Sequence, residues 1–550
     1  MFFYSTRPLS CALPELLGEI SASSPIRPSS IPHTSLTATL TSNPVDQERY
    51  SASLTGSVDF LVQSVVRSCQ RGLLNCFDCG SSQQRLAVLG KTTADWMNDA
   101  ASMPSETNPA PDQWIRLSKR ISKTLQNMSS FQTKQHEAKD SADTAWFSPA
   151  NIGRFLTLFW EIWYPNCPIL HKPTFCIDTA PVTLLVAMLL IGACLSVDGD
   201  DRAQAHTWLD RTEQLVFSGR SFQETGTGPV SYTGSSKREF LQELQAGFLI
   251  CVCQYWEGSS QSRERTRQLT YSSLIATVRT IGLSPTTWQT PDPQQSEWNQ
   301  FIESEQLIRT LLYVFLVDTE FTIFHNMPPR LTIPELQMPL ACPETCFQAR
   351  SADEYSHQRS ALSQSGPPRA SISTIIQTMC REDFELDVLP GLGQLGTLNL
   401  FILISALHTL KFTIKASMAC GESLIPIKRG LSHWKILWDV HQPQPSQSPP
   451  VIASTASTAP PAAATSSPSS SSPSSIHELW KREGFTKHCR EYWELAIYDL
   501  ERYDASSSSS SSQRRLAGGL PEKESAGAEK YDDRTMSEVV DLISWISRRR

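Results

Sequence analysis

From Phe147 to about Trp438 the apolar residues of this chain return every three or four positions, the period of an α-helix, and regular alternation of the strand type with spaced turn signals is absent. That pattern allows a mainly α fold, a compact helical domain. Phe240, Leu241, Leu244, Phe248, Val252 and Tyr255 mark one helix, and Leu269 to Ile281 a second that stops at Gly282 in a C-cap. The short EGSSQS link between them predicts an antiparallel pair. Phe301 to Phe324 places Ile308, Leu312, Phe315, Thr319 and Ile323 along one stripe, with Glu305 and Arg309 as an i,i+4 pair, and ends before Pro328-Pro329.

The chain is compositionally uneven, and this sets its organisation. Its 550 residues are enough for one to three domains, and its 36 prolines and long serine runs sit beside segments dense in Trp, Phe and Leu. Residues 1–50 read as a disordered N-terminal segment. Residues 51–146 form a helical and linker region: helical periodicity runs from Val58 to Met97 through Phe60, Leu61, Val65, Val66, Leu73 and Leu74, PSETNPAPDQ breaks it, and a helix follows near Trp114 to Leu125. Residues 147–442 are the main block. Pro443 to Ser475 bury too little apolar surface to offset chain entropy and read as a disordered insertion. Residues 476–503 resume the helical period through Tyr492, Leu495 or Ala496, and Leu500. Residues 504–535, with Ser506–Ser512, read as a disordered linker, and residues 536–550 as a C-terminal helix with a basic end, Arg548 to Arg550.

A net charge of -7 and a pI near 5.9 give no overall pull toward nucleic acid or an anionic membrane. Fourteen cysteines are too dilute for a disulfide scaffold, and no secretory pattern opens the chain, so reduced thiols in cytosol or nucleus are expected. Val182 to Val197 falls short of the roughly 20 residues a spanning helix needs and reads as a buried core helix, with no membrane partner.

Four features could carry chemistry. Cys76-Phe77-Asp78-Cys79 is a CxxC, but zinc needs a second ligand pair about 12 to 20 residues away, and the next histidine is His136. Gly391 to Gly396 matches GxGxxG, yet a poor strand ending in Pro390 leads in, and the nearest later carboxylate is Glu422. His171 has no carboxylate or nucleophile near it in sequence, so a structural hydrogen bond is expected of it. Arg263, Arg265 and Arg267 would spread around a helix as a solvated, weakly basic start. No catalytic set converges and no cofactor is implied: this is not an enzyme.

Leading into FWEIWYPNCPILHKPTF, Phe155 and then Phe159, Ile162 and Trp163 lie at the spacing of a buried helical stripe, which Pro165 should stop. Pro168 and Pro173 then hold an extended strap whose Ile169, Leu170 and Phe175 anchor into the core. LFWEIWYPNCPILHKPTF resembles the opening of the regulatory middle-homology domain of fungal transcription factors. The likeness continues through LQAGFLICVCQYWEGSSQSRERTRQLTYSSLIATVRTIGL, through FIESEQLIRTLLYVFLVDTEFTIFHNMPPRLTIPELQMPLACPE, and through LSHWKILWDVH and GFTKHCREYWELAIYDL. It is strongest to the branch with paired two-Cys, two-His fingers. Phe159, Trp163, Pro168, His171, Pro173, Phe175, Arg309, Asp318, Pro328 and Pro329 carry the motif.

The resemblance implies a nuclear regulator of a specific pathway, such as secondary metabolism, acting at RNA polymerase II promoters. Promoter DNA, the transcription machinery or co-regulators, and a second copy of the chain are the partners it implies. The first 146 residues hold only Cys11, Cys69, Cys76 and Cys79 with His33 and His136, a spacing that makes no zinc module, so no residue is assigned to base reading and zinc is expected only with a module upstream. The alternative is an adaptor or corepressor of the same family that does not itself bind DNA.

Overall fold

The computed structural model describes residues 72–98, 111–129, 144–223, 235–281, 297–361, 370–385, 391–417, 424–441 and 484–516. The N-terminal segment, Phe60 to Val66, the Gly282 cap, the Pro443–Ser475 insertion and the C-terminal helix lie outside the described residues. In chain order the helices are α1 (Leu73–Cys76), α2 (Ser82–Asn98), α3 (Pro111–Ser129), α4 (Pro149–Leu158), α5 (Val182–Cys194), α6 (Gly199–Phe217), α7 (Arg220–Gln223), α8 (Ser235–Glu257) and α9 (Ser260–Arg265). They continue with α10 (Tyr271–Ile281), α11 (Glu297–His325), α12 (Glu344–Phe347), α13 (Ala352–Ala361), α14 (Ile372–Met379), α15 (Thr397–Ala416), α16 (Ile425–His441) and α17 (Cys489–Leu516). Among the described residues the β structure amounts to an isolated bridge between Pro339 and Ser371. The mainly α expectation holds.

Two units divide the chain: a large one, Val66–Ile497 with Glu522–Met536, and a small one whose described part starts at Tyr498. In the small unit the helix runs through Ser506–Ser512, which composition alone assigns to a linker. Serine is a middling helix former, and extending an existing helix adds a hydrogen bond per residue without a new nucleus.

In the large unit α5 lies against α4, α6 and α8. Every residue from Leu184 to Cys194 is buried, as the apolar run predicts for a core helix. The α4–α5 crossing is close because residue 192 is glycine: a Cβ there would sit 2.0 Å from the Phe155 carbonyl oxygen. Gly192→Ala should therefore force the two helices apart and cost about 1–3 kcal/mol, read as a lower urea midpoint. α15, packed against α11 and α16, is the one helix among the described residues long and apolar enough to cross a membrane by length and composition. With 67% of that stretch buried in the protein, it is a core helix that the hydropathy of Val182–Val197 overshadowed.

Several local readings change. The Val58–Met97 pattern is interrupted after Cys76, and Phe77 to Ser81 turn the chain between α1 and α2. Pro165 does not end its helical run at once. α4, N-capped by Ser148 with Pro149 following, widens into a π turn over Phe159–Trp163 and then tightens to a 3-10 turn, Tyr164–Asn166. Pro165 sits in the first turn of that last segment, where a missing N–H costs nothing. The EGSSQS link is shorter than expected, because α9 already begins at Ser260, capped by the Ser259 hydroxyl. α11 is buried on all sides from Arg309 to Thr322 rather than along one stripe, since helices pack on it all round.

The arginines at the end of α9 and in the π turn Thr266–Thr270 that follows it also depart from a solvated face. Arg265 Nη2 lies 2.7 Å from Asp210 and Nε 3.1 Å from Glu213, tying α9 to α6. Arg267 reaches the His325 ring at 3.3 Å.

Candidate ligand cavity and the motif residues around it

The motif residues first meet in a polar knot. Arg309, on α11, is 1% exposed and donates from Nε to Glu305 at 2.9 Å, from Nη1 to Glu344 at 2.6 Å, and from Nη2 to the Cys342 carbonyl at 3.0 Å. Its guanidinium lies 3.9 Å from the Phe347 ring centre, and the Pro168 carbonyl approaches Nη1 at 3.5 Å. Burial alone would lower the Arg309 pKa, but Glu344 and Glu305 outweigh it and hold the group firmly charged. The i,i+4 pair read from the sequence is real, but it is an interior clamp joining α11, the strap and the 342–347 segment rather than a surface pair.

His171 closes the same knot. Its Nε2 faces the Ala349 carbonyl at 3.2 Å, which can only accept, so Nε2 carries the proton and Nδ1 accepts from the Thr174 hydroxyl at 2.7 Å. Its backbone N–H donates to Gln306 at 3.0 Å. Burial pushes the ring pKa down to about 4, so it is neutral at pH 7 and engaged on both nitrogens, the structural histidine expected.

Ile169 and Leu170 are fully buried, but Phe175 is half-buried against Trp160 and Pro173 is exposed, so the strap anchors less deeply at its end than its composition suggests. At the other end of α11, Asp318 Oδ2 accepts the backbone N–H groups of Arg330 and Leu331 at 2.7 and 2.8 Å, and Oδ1 meets the Arg330 guanidinium at 3.2 Å. Asp318 thus folds the Pro328-Pro329 segment back onto the helix. Asn326, in the left-handed region with φ 49°, makes the preceding turn.

Beside this scaffold lies a cavity of about 50 Å³ that opens to solvent through a mouth. α8 supplies Phe248, Val252 and Trp256; α11 supplies Tyr313, Leu316, Val317, Thr319 and Glu320; Trp163 comes from the π turn after α4 and Cys167 from the start of the strap. Phe401 and Ser405 of α15, Phe485 and Tyr492 close it from the C-terminal side. Phe77 completes one wall, its ring 4.7 Å from Trp163 and 4.8 Å from Trp256. Phe77 is held there by Asp78, whose backbone pairs with the Asn166 amide at 3.0 and 3.2 Å and whose carboxylate meets Lys487 at 2.8 Å.

The CxxC therefore works through the residues between its cysteines. Cys79 is buried with its thiol toward the Leu73 carbonyl at 3.5 Å. The glycine motif is likewise a turn: Gly391 adopts φ 90° before a 3-10 turn, Leu392–Gln394, and α15 follows with no strand ahead of it among the described residues.

Two polar groups stand out in the apolar lining. The Trp163 indole N–H is buried and has no acceptor among the described residues. Glu320 is buried too, and burial lifts its carboxyl to about 8, against a partial offset from the Tyr492 hydroxyl that donates to it at 2.8 Å. At neutral pH Glu320 is mostly protonated and can donate. A cavity of about 50 Å³ with apolar walls and a few oriented donors suits one small neutral group bearing an acceptor, the rest of any larger ligand lying at the mouth.

Sequence reasoning placed Trp163 as a packing residue and missed Glu320. Its one signal was a carboxylate inside the apolar run LLYVFLVDTEFTIF.

Residues 156–381 match the family of the fungal specific transcription factor domain. The chain is 31% identical over 523 residues to transcription factor verF of Penicillium polonicum, covering 86% of this chain and 68% of that protein. It is 27% identical over 231 residues to zinc finger protein zas1 of Schizosaccharomyces pombe, covering 40% of this chain and 24% of that protein. To zinc finger protein klf1 of the same yeast it is 23% identical over 230 residues, covering 40% of this chain and 27% of that protein. No solved structure matches.

Proposed function

Because this chain belongs to the fungal specific transcription factor family, we propose that it governs the genes of one pathway, such as a secondary-metabolic one, from the nucleus. In this reading the helical domain is its regulatory part, and the cavity between α8, α11 and α15 seats a small-molecule effector. The observation that carries the effector site is the pair of donors, Trp163 and Glu320, held inside apolar walls. The Trp163 nitrogen is closed off in this arrangement, so the ring must shift slightly to reach a ligand; one that then accepts from both donors gains hydrogen bonds without displacing any that N–H already makes among the described residues. By occupying space between helices, it would stabilise one arrangement of them, and its differential affinity sets how far regulation can shift.

Genomic occupancy of the tagged chain tests the reading. A limited set of promoters should be enriched, and transcripts from those genes should change when Ser405→Phe fills the cavity. Enrichment spread evenly over the genome, or transcripts indifferent to Ser405→Phe, would count against it. If the purified chain fails to retard the enriched fragments, the adaptor or corepressor reading takes its place.

A further inference from the structure

We propose that Cys194, His206 and Glu257 hold a zinc ion that pins together α5, α6 and α8. Cys194 is the last residue of α5, His206 lies in the second turn of α6, and Glu257 is the last residue of α8. One ligand atom from each lies within 4.8 Å of the others, and His206 Nε2 is 3.0 Å from Glu257 Oε2. Ligands about 2.0–2.3 Å from a tetrahedral zinc sit roughly 3.3–3.8 Å apart, so the cluster needs little contraction to close on the ion. Cys253, one turn before Glu257 on α8 and fully buried, is in hydrogen-bonding reach of Cys194 but stands outside the three mutually close ligands, so it must turn to reach the fourth position, which solvent from the His206 side otherwise fills.

The donor set selects the metal. Sulfur, imidazole and carboxylate together suit zinc, whereas calcium and magnesium take oxygen alone. Both cysteines are free thiols. The surroundings fit as well. Cys194 is 1% exposed, while the His206 side chain is 46% exposed, so the ion has an entry path from the imidazole side. Glu257 uses its other oxygen, Oε1, to accept the Leu73 backbone N–H at 2.6 Å, an outer contact that fixes the carboxylate's orientation. That contact anchors the start of α1, and α1 leads directly to Phe77 on the cavity wall. A metal at Glu257 would therefore also steady that wall.

Metal analysis of the full chain, purified without chelator and supplied with equimolar zinc, tests this. About one zinc per chain should be retained, and exchange with cobalt(II) should give tetrahedral visible bands and a thiolate-to-cobalt absorption in the near ultraviolet. His206→Ala, at a half-exposed position that leaves the core intact, and Cys194→Ser should each weaken binding by more than about 100-fold, the upper range for outer-shell losses alone. The double variant Cys76→Ser/Cys79→Ser should bind as the parent does. No retained metal in a chain folded by circular dichroism, undiminished binding in His206→Ala, or loss of the cobalt spectrum only with Cys76 and Cys79 would each overturn the proposal. A Cys194–Cys253 disulfide in protein taken from reducing cells would do the same.

Discussion

Arg309→Leu should lower the stability of the large unit by about 3–5 kcal/mol at pH 7, seen as a drop in urea midpoint with little change in slope. The loss does not come from a favourable ion pair as such. It comes from stranding Glu305, which is 4% exposed and accepts from both Arg309 and the Cys342 N–H. Three consequences separate this cause from simple loss of packing. Acidifying the variant should recover part of the deficit, because protonating Glu305 removes the unpaired charge. Glu305→Leu/Arg309→Leu should be more stable than Arg309→Leu alone, since no buried charge remains. Arg309→Lys should fall between, because an ammonium cannot present the fork that meets Glu305, Glu344 and the Cys342 carbonyl together.

Glu320→Gln should have the opposite sign. In the folded protein the carboxyl titrates near 8 and in the unfolded chain near its ordinary 4.5. Between those values the folded state holds a proton that the unfolded state has released, so wild-type stability falls as pH rises, by up to about 1.4 kcal/mol per unit, and levels off above 8. Glutamine keeps an acceptor for the Tyr492 hydroxyl and cannot ionise. The variant should match wild type near pH 4.5 and exceed it by about 2–4 kcal/mol at pH 8.5, the lower figure applying because the cavity has a mouth. Denaturant titrations at the two pH values measure the difference directly.

The fold class was legible because helical periodicity is local: a few turns of Phe240 to Tyr255 suffice to show it. Local patterns also revealed that Glu305 and Arg309 meet, one turn apart, and that His171 has no carboxylate or nucleophile beside it in sequence and serves a structural hydrogen bond. What a pattern of this kind lacks is the depth at which a helix ends up. α11 reads as a helix from its sequence, but its burial depends on neighbours distant in the chain, α8 and α15 among them. The cavity was invisible for the same reason, since Phe77, Trp163, Glu320, Ser405 and Tyr492 come from distant segments. The cysteine reading searched for ligands close in sequence and set Cys76 and Cys79 aside for want of a second pair, whereas Cys194, His206 and Glu257 come together only when three helices pack.

Titration with prodan, a neutral naphthalene bearing one ketone whose emission shifts to the blue in apolar surroundings, tests the binding role of the cavity most directly. The account predicts a saturable blue-shifted site of about one equivalent, weakened in Trp163→Phe, which removes the indole N–H together with part of the ring, and abolished in Ser405→Phe with the helical signal intact. Absence of a saturable site in the parent chain, or equal binding in parent and Ser405→Phe, would contradict it.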